Sequence, residues 1–185
     1  MRIALFGGSF DPPHVAHQMA ALWAIATARA DRVLWVPCHR HAFGKQLAEF
    51  HDRFEMCVRA AAFLGERGEV SRVEEQIGGE SRTLMTLLRL REERRGASFT
   101  LLIGADLVEE RTRWAGYDEI SRIAQFLVIG RQGAPRPGQA DSPPLPAVSS
   151  TSIRARISRG EDVSQLVPAA VLDHVRARGL YGWRT

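Results

Sequence analysis

Lysine is nearly missing from this chain: Lys45 is the only one, although Lys and Arg together number 25 and the formal net charge is +4. Cysteine is scarce too, with Cys38 and Cys57 alone among 185 residues. Two such thiols build no disulfide framework, which excludes a stapled secreted domain and points to a reducing cytoplasm. No apolar run approaches the roughly 20 residues of a membrane span; the runs at 101–103 and 126–129 are strand-sized. No secretory h-region is visible, so no membrane partner is expected. The positive charge is not gathered into a stripe either. Arg91, Arg94 and Arg95 surround Glu92 and Glu93, the pattern of a solvated helix face rather than a nucleic-acid groove. A small anionic substrate accounts for a modest positive excess.

What is present is an ordinary globular composition, 45% apolar and 25% charged, with enough length for one well-filled core. No repeat is visible and low-complexity sequence is confined to 132–146, so residues 1–185 are expected to form a single domain. Short apolar runs at 2–7, 32–37, 69–74, 99–103 and 125–130 read as strands. Amphipathic stretches at 15–29, 49–64, 81–95, 105–124 (broken near Gly116) and 168–178 read as helices. In 81–95, Leu84, Leu87 and Leu88 supply the core stripe. This alternation predicts an α/β fold with a doubly wound parallel sheet, a Rossmann-like sandwich. Another short helix should follow 148–154 and run to about Arg159, with Gly160 stopping it.

The first strand hands over to the first helix through Gly7-Gly8-Ser9-Phe10-Asp11-Pro12-Pro13-His14-Val15-Ala16-His17. Glycines at such a junction let backbone N–H groups approach a ligand, and a helix N-terminus beyond them attracts phosphate. His14 and His17, three residues apart, point back toward the same place. No nearby Cys, Asp or Glu completes a zinc-like ligand set, so no protein-held metal is expected. A second junction carries Ser150 and Thr151 at a helix start with Arg154 one turn on, either a second anion cradle or simple N-capping. Asp106 follows a strand directly, as a ligand or as a helix cap, and Trp114 lines a pocket or fills core. Lys45 is either a survivor of a coding bias toward Arg or a compact ammonium that a guanidinium replaces poorly.

Residues 7–17 resemble the Gly-x-Phe-x-Pro-x-His-x-x-His signature of nucleotidyltransferases, with Ala16 where most members have Gly. Ser149-Ser150-Thr151-Ser152-Ile153-Arg154 resembles their Ser-Ser-Thr-x-Ile-Arg motif. Gly104-Ala105-Asp106 with Trp114, the stretch Ser81-Arg82-Thr83…Thr86-Leu87, and Gly179-Leu180-Tyr181 resemble bacterial nicotinate-nucleotide adenylyltransferases. The resemblance runs from Ile3 to Tyr181, weakly at 38–52 and not at 132–146. It implies a Rossmann-like nucleotidyltransferase that moves the adenylyl group of ATP to nicotinate mononucleotide by direct in-line displacement, giving deamido-NAD and pyrophosphate. Magnesium would accompany ATP, bridging substrate phosphates.

The resemblance also implies roles. Gly7, Gly8, Ser9, His14 and His17 would hold the ATP phosphates, Asp106 the adenosine ribose side, and Ser150 and Arg154 the phosphate tail, with Phe10 and Thr151 counted among the nucleotide-binding residues of the same two motifs. Trp114 would stack on the pyridine ring and Thr83 would help hold the nicotinate carboxylate; Arg82 departs from the family's usual Tyr, and its own chemistry at the helix start makes it an extra donor or a solvent-facing residue. The family's Pro-Pro-His-Lys is replaced by Pro37-Cys38-His39-Arg40-His41 and onward, which makes Lys45 the candidate phosphate-binding lysine. Transfer to nicotinamide mononucleotide or another phosphorylated acceptor is the alternative, and a nucleotide- or RNA-binding module the remote one. A homo-oligomer stays open.

Overall fold

The strands are apolar on both parities, so both faces of any sheet they form must be covered. In the computed structural model, which describes residues 1–40, 47–133 and 140–183, they are. The chain runs β1 (Arg2–Gly8), α1 (Val15–Ala26), β2 (Arg32–Pro37), α2 (Phe50–Ala61), β3 (Gly68–Val70), α3 (Val73–Ile77), α4 (Thr83–Glu93), β4 (Ser98–Gly104), α5 (Tyr117–Ile123), β5 (Ala124–Ile129), α6 (Ser150–Ser158) and α7 (Ala169–Ala177). All strand pairs are parallel, in the order β3-β2-β1-β4-β5. The chain therefore reverses its direction of sheet growth between β1 and β4, and the carboxyl ends of those two strands flank the crevice where such sheets bind ligands.

Alternation along β1 divides the core in two. Ala4 and Phe6 join Val33, Trp35, Ile153 and Val171 on one face, while Ile3 and Leu5 join Leu34, Leu87, Leu101 and Ile120 on the other. On α4 the fully buried stripe is Thr86, Leu87 and Leu90, with Leu84 and Leu88 only half-buried. The expected strand at 69–74 is shorter than anticipated. β3 ends at Val70, and Val73-Glu74-Glu75 begins the separate helix α3, whose acidic first turn suits a helix N-terminus. The expected helix at 105–124 is in three pieces, two 3₁₀ turns (Ala105–Leu107 and Glu110–Arg113) and α5. Gly116, at φ +77°, makes the break, a conformation other residues adopt only with strain. Gly160 likewise ends α6 with φ +73°. Among the described residues, no helix is long and apolar enough to cross a membrane.

Candidate functional site

Residues from both sides of the crevice line one cavity of about 470 Å³. On one side is the turn after β1. A Cβ on Gly8 would sit 3.2 Å from the Phe10 ring, so only glycine fits without displacing it. Phe10 itself has φ +48° and is 2% exposed, wedged against Phe6, His17 and Trp35 at 5.0–5.3 Å between ring centroids. Its ring props the turn from beneath and is also part of the cavity lining.

His14 is the N-cap of α1, and its backbone N–H donates to His17 Nδ1 at 3.1 Å. Because Nδ1 accepts, the His17 ring proton resides on Nε2, leaving an N–H donor there. The two imidazoles stack at 3.7 Å and both line the cavity. Burial, with Arg131 adding repulsion, lowers His14 to about 4, and burial with the neighbouring His14 lowers His17 well below its ordinary value. Both rings are neutral at pH 7. His14 Nδ1 is buried with no hydrogen-bond partner among the described residues, a polar atom that a ligand could satisfy.

The second junction faces the first. Ser149 caps α6, its Oγ accepting from Ser152 N–H at 3.2 Å, so part of the motif is indeed a helix cap. Ser150 Oγ donates to the Pro12 carbonyl at 2.9 Å, and Arg154 Nη1 donates to the Asp11 carbonyl at 2.8 Å. These two bonds tie the phosphate-type turn to α6. Thr151 also lines the cavity.

At the β4 end, Asp106 is not a helix cap. Its carboxylate receives Arg131 Nη1 at 3.0 Å, and Arg131 Nη2 donates to the Val148 carbonyl at 3.2 Å. Across the cavity stand Thr83, the first residue of α4, and the half-buried Trp114, 6.4 Å from Phe126. Glu74 holds this wall together: its carboxylate accepts from Ser81 Oγ, from Thr86 Oγ1 at 3.1 Å and from His39 N–H at 3.1 Å. Arg82 does not join them. Its side chain is 60% exposed, lies 3.8 Å from Glu80, and does not line the cavity. The guanidinium thus lies beside the exposed Glu80 carboxylate rather than in the cavity lining. Lys45 and His41 lie outside the described residues.

Several contributors were not singled out from sequence. Arg131 sits just past β5, where a Pro/Gly-rich connection begins and no motif flags it. Arg53 is 1% exposed and donates to the carbonyls of Ser9, Cys38, His39 and Ala48, at 2.8–3.3 Å. It ties the turn after β1 to residues 38–39 and 48. Its position in a helix with strong amphipathic character, on the apolar side next to Met56 and Cys57, was the available signal. Asp11 and Glu74 are carboxylates in a cavity otherwise suited to anions, and each is fully engaged by donors. Among the described residues, no group of three His, Cys, Asp or Glu is placed to hold a metal ion.

Comparison with known proteins gives a consistent picture. A family model described as cytidylyltransferase-like matches residues 5–156. A protein of Anaeromyxobacter dehalogenans named "Probable nicotinate-nucleotide adenylyltransferase" is 48% identical over 97% of this chain and 96% of its own length. One of the same name from Myxococcus xanthus is 38% identical over 98% and 95%. Among solved structures, Plasmodium falciparum nicotinic acid mononucleotide adenylyltransferase complexed with NaAD superposes with TM-score 0.81 over 99% of this chain and 98% of that one. At 18% identity, this last likeness speaks to the fold alone.

Proposed function

The chain belongs to the nicotinate-nucleotide adenylyltransferase family of cytidylyltransferase-like proteins, and from that premise we propose how its cavity performs the reaction. The enzyme transfers the adenylyl group of ATP to nicotinate mononucleotide, giving deamido-NAD and pyrophosphate. An oxygen of the acceptor phosphate attacks the α-phosphorus; the new P–O bond forms as the bond to the β-phosphate breaks, and pyrophosphate leaves. No proton has to move for this exchange. Catalysis is then positioning plus stabilisation of charge on phosphoryl oxygens.

The observation that carries this reading is the pair of neutral, stacked imidazoles beside the turn at 7–9. His17 offers Nε2–H to a phosphoryl oxygen, and His14 brings a buried, unpartnered nitrogen to the same place. Neutral donors suit a role in which hydrogen bonds tighten as charge shifts in the transition state. Backbone N–H groups of Gly7, Gly8 and Ser9 receive the phosphates, with Ser150, Thr151 and Arg154 meeting the tail from α6. Asp106 takes the ribose side of adenosine. Trp114 stacks on the pyridine ring, and Thr83 at the N-terminus of α4 meets the nicotinate carboxylate. Lys45 is assigned to the phosphates on the motif resemblance alone, as it lies outside the described residues.

Magnesium fits as a companion of the triphosphate rather than as a protein-held ion. Each cavity carboxylate is already engaged: Asp11 by Tyr181 and Arg154, Glu74 by Ser81 and Thr86, and Asp106 by Arg131. Bound with the nucleotide, the ion would supply neutralisation of phosphoryl charge.

His17→Ala tests the reading. Turnover should fall by roughly 10²–10³ while the Kd for ATP changes much less, the mark of an interaction realised in the transition state. Near-normal turnover would remove His17 from the mechanism. Isolation of an adenylylated protein after quenching would replace direct displacement with a covalent route.

A further inference from the structure

Tyr181 lies 170 residues from Asp11 in sequence, yet its hydroxyl donates to Asp11 Oδ1 at 2.8 Å. The turn that delivers it, Leu180–Gly182, follows α7 through Gly179, and Tyr181 itself has φ +59°. A tyrosine in the left-handed region is unfavourable in isolation and persists only where its surroundings hold it. Here Leu180 and Trp183 pack against the core on either side, and Arg176 covers the Trp183 ring at 4.9 Å.

What Tyr181 reaches is a carboxylate in an awkward place. Asp11 is 1% exposed and belongs to the turn that receives a polyanion. A buried carboxylate is costly unless paired and hydrogen-bonded, and an uncompensated one would repel phosphate. Three donors compensate it: Tyr181 Oη, the Ala48 N–H at 3.2 Å, and Arg154 Nη1 at 3.5 Å from Oδ2. Arg154 is bound a second time through the Asp11 carbonyl. Its side chain is 30% exposed and lies at the boundary of the main cavity and a second, open one of about 610 Å³, which Tyr181 also lines. The guanidinium is therefore aimed by Asp11, and the Asp11 carboxylate is aimed by Tyr181.

We propose that Tyr181 is a positioning residue of the phosphate-tail subsite: through Asp11 it orients Arg154 toward the β- and γ-phosphates of ATP. The proposal rests on the reading of Arg154 as a tail donor. It makes the C-terminal turn part of the nucleotide site, although Tyr181 touches no reacting atom.

AMP lacks the tail, so the difference between ATP and AMP affinity isolates it. In calorimetry with magnesium present, Tyr181→Phe should weaken ATP about tenfold and AMP less than about twofold. Arg154→Ala should show the same split, and the double variant should lose little more than Arg154→Ala alone, since both changes remove one interaction. Parallel weakening of AMP and ATP, or losses that multiply in the double variant, would overturn the proposal. If Arg154→Ala leaves ATP binding unchanged, the tail assignment fails and takes the proposal with it, while pyrophosphate release still reports on transfer itself. Should Tyr181→Phe not fold, Asp11→Asn keeps the side chain's size and must give the same ATP-specific, non-additive loss.

Discussion

His14 shows how burial sets the chemistry of a single side chain. With its pKa lowered from 6.5 to about 4, the folded protein resists a proton that the unfolded chain accepts readily. Stability from this group is fully present above about pH 6.5 and drains away as pH falls toward 4, by about 1.4 kcal/mol per unit. Urea unfolding at pH 7 and pH 5 should therefore show the wild type losing about 2 kcal/mol more than His14→Asn across that interval. Equal losses would mean that His14 is not held neutral. The imidazole pair was legible in the sequence because both residues stand in one short motif next to the glycines. Arg131 was not, and Tyr181 was visible only as part of a motif without a role, because their partners Asp106 and Asp11 are brought to them by the fold rather than by local spacing. Arg82 has chemistry suited to an anionic acceptor, and its side chain lies beside Glu80 facing solvent.

Elements matter here chiefly through how they end. β4 closes on Gly104, which has φ −73°, a conformation any residue adopts. Its lack of a side chain serves another purpose, since an added Cβ would collide with Asp106 Oδ1. Gly104→Ala should thus leave the strand intact and displace the Asp106 carboxylate from its place beside Arg131. The expected result is an AMP affinity weaker by about 5- to 30-fold, corresponding to one or two hydrogen bonds, with little change in melting temperature. Calorimetry beside thermal unfolding would check it, and unchanged AMP affinity would remove Asp106 from the adenosine subsite. The strand positions were legible because parallel strands buried on both faces read as short continuous apolar runs. Segment 105–124 was harder. The break at Gly116 was legible, but the part before it is two 3₁₀ turns rather than helix, and these carry Asp106 and bring Trp114 to the cavity.

At the scale of the molecule, the order β3-β2-β1-β4-β5 turns separate motifs into one site. The turn after β1, the turn after β4 and the start of α6 all lie at the carboxyl edge of the sheet, and the reversal between β1 and β4 opens the crevice between them. That convergence was inferable from sequence because every motif follows a strand or begins a helix. The closing of the site from below by Arg53 and from the C-terminus by Tyr181 was not, since it depends on contacts across the whole chain. The acceptor end is less crowded with charge than the sequence suggested. The proposed reading assigns recognition of a nicotinate carboxylate to Thr83 at the start of α4, with Trp114 in the same cavity lining. A charge-assisted hydrogen bond at a helix N-terminus is worth about 1.5–3 kcal/mol, so discrimination against the uncharged amide should be at least about tenfold. The central claim, adenylyl transfer from ATP to the acid mononucleotide in this cavity, is tested most directly by one comparison. Nicotinate and nicotinamide mononucleotides are supplied separately with ATP and magnesium, and dinucleotide and pyrophosphate are both quantified. The expected result is deamido-NAD and pyrophosphate in equal amounts, with kcat/KM for the acid at least about tenfold above that for the amide. Absence of pyrophosphate release with the acid, or a higher kcat/KM for the amide, would contradict it.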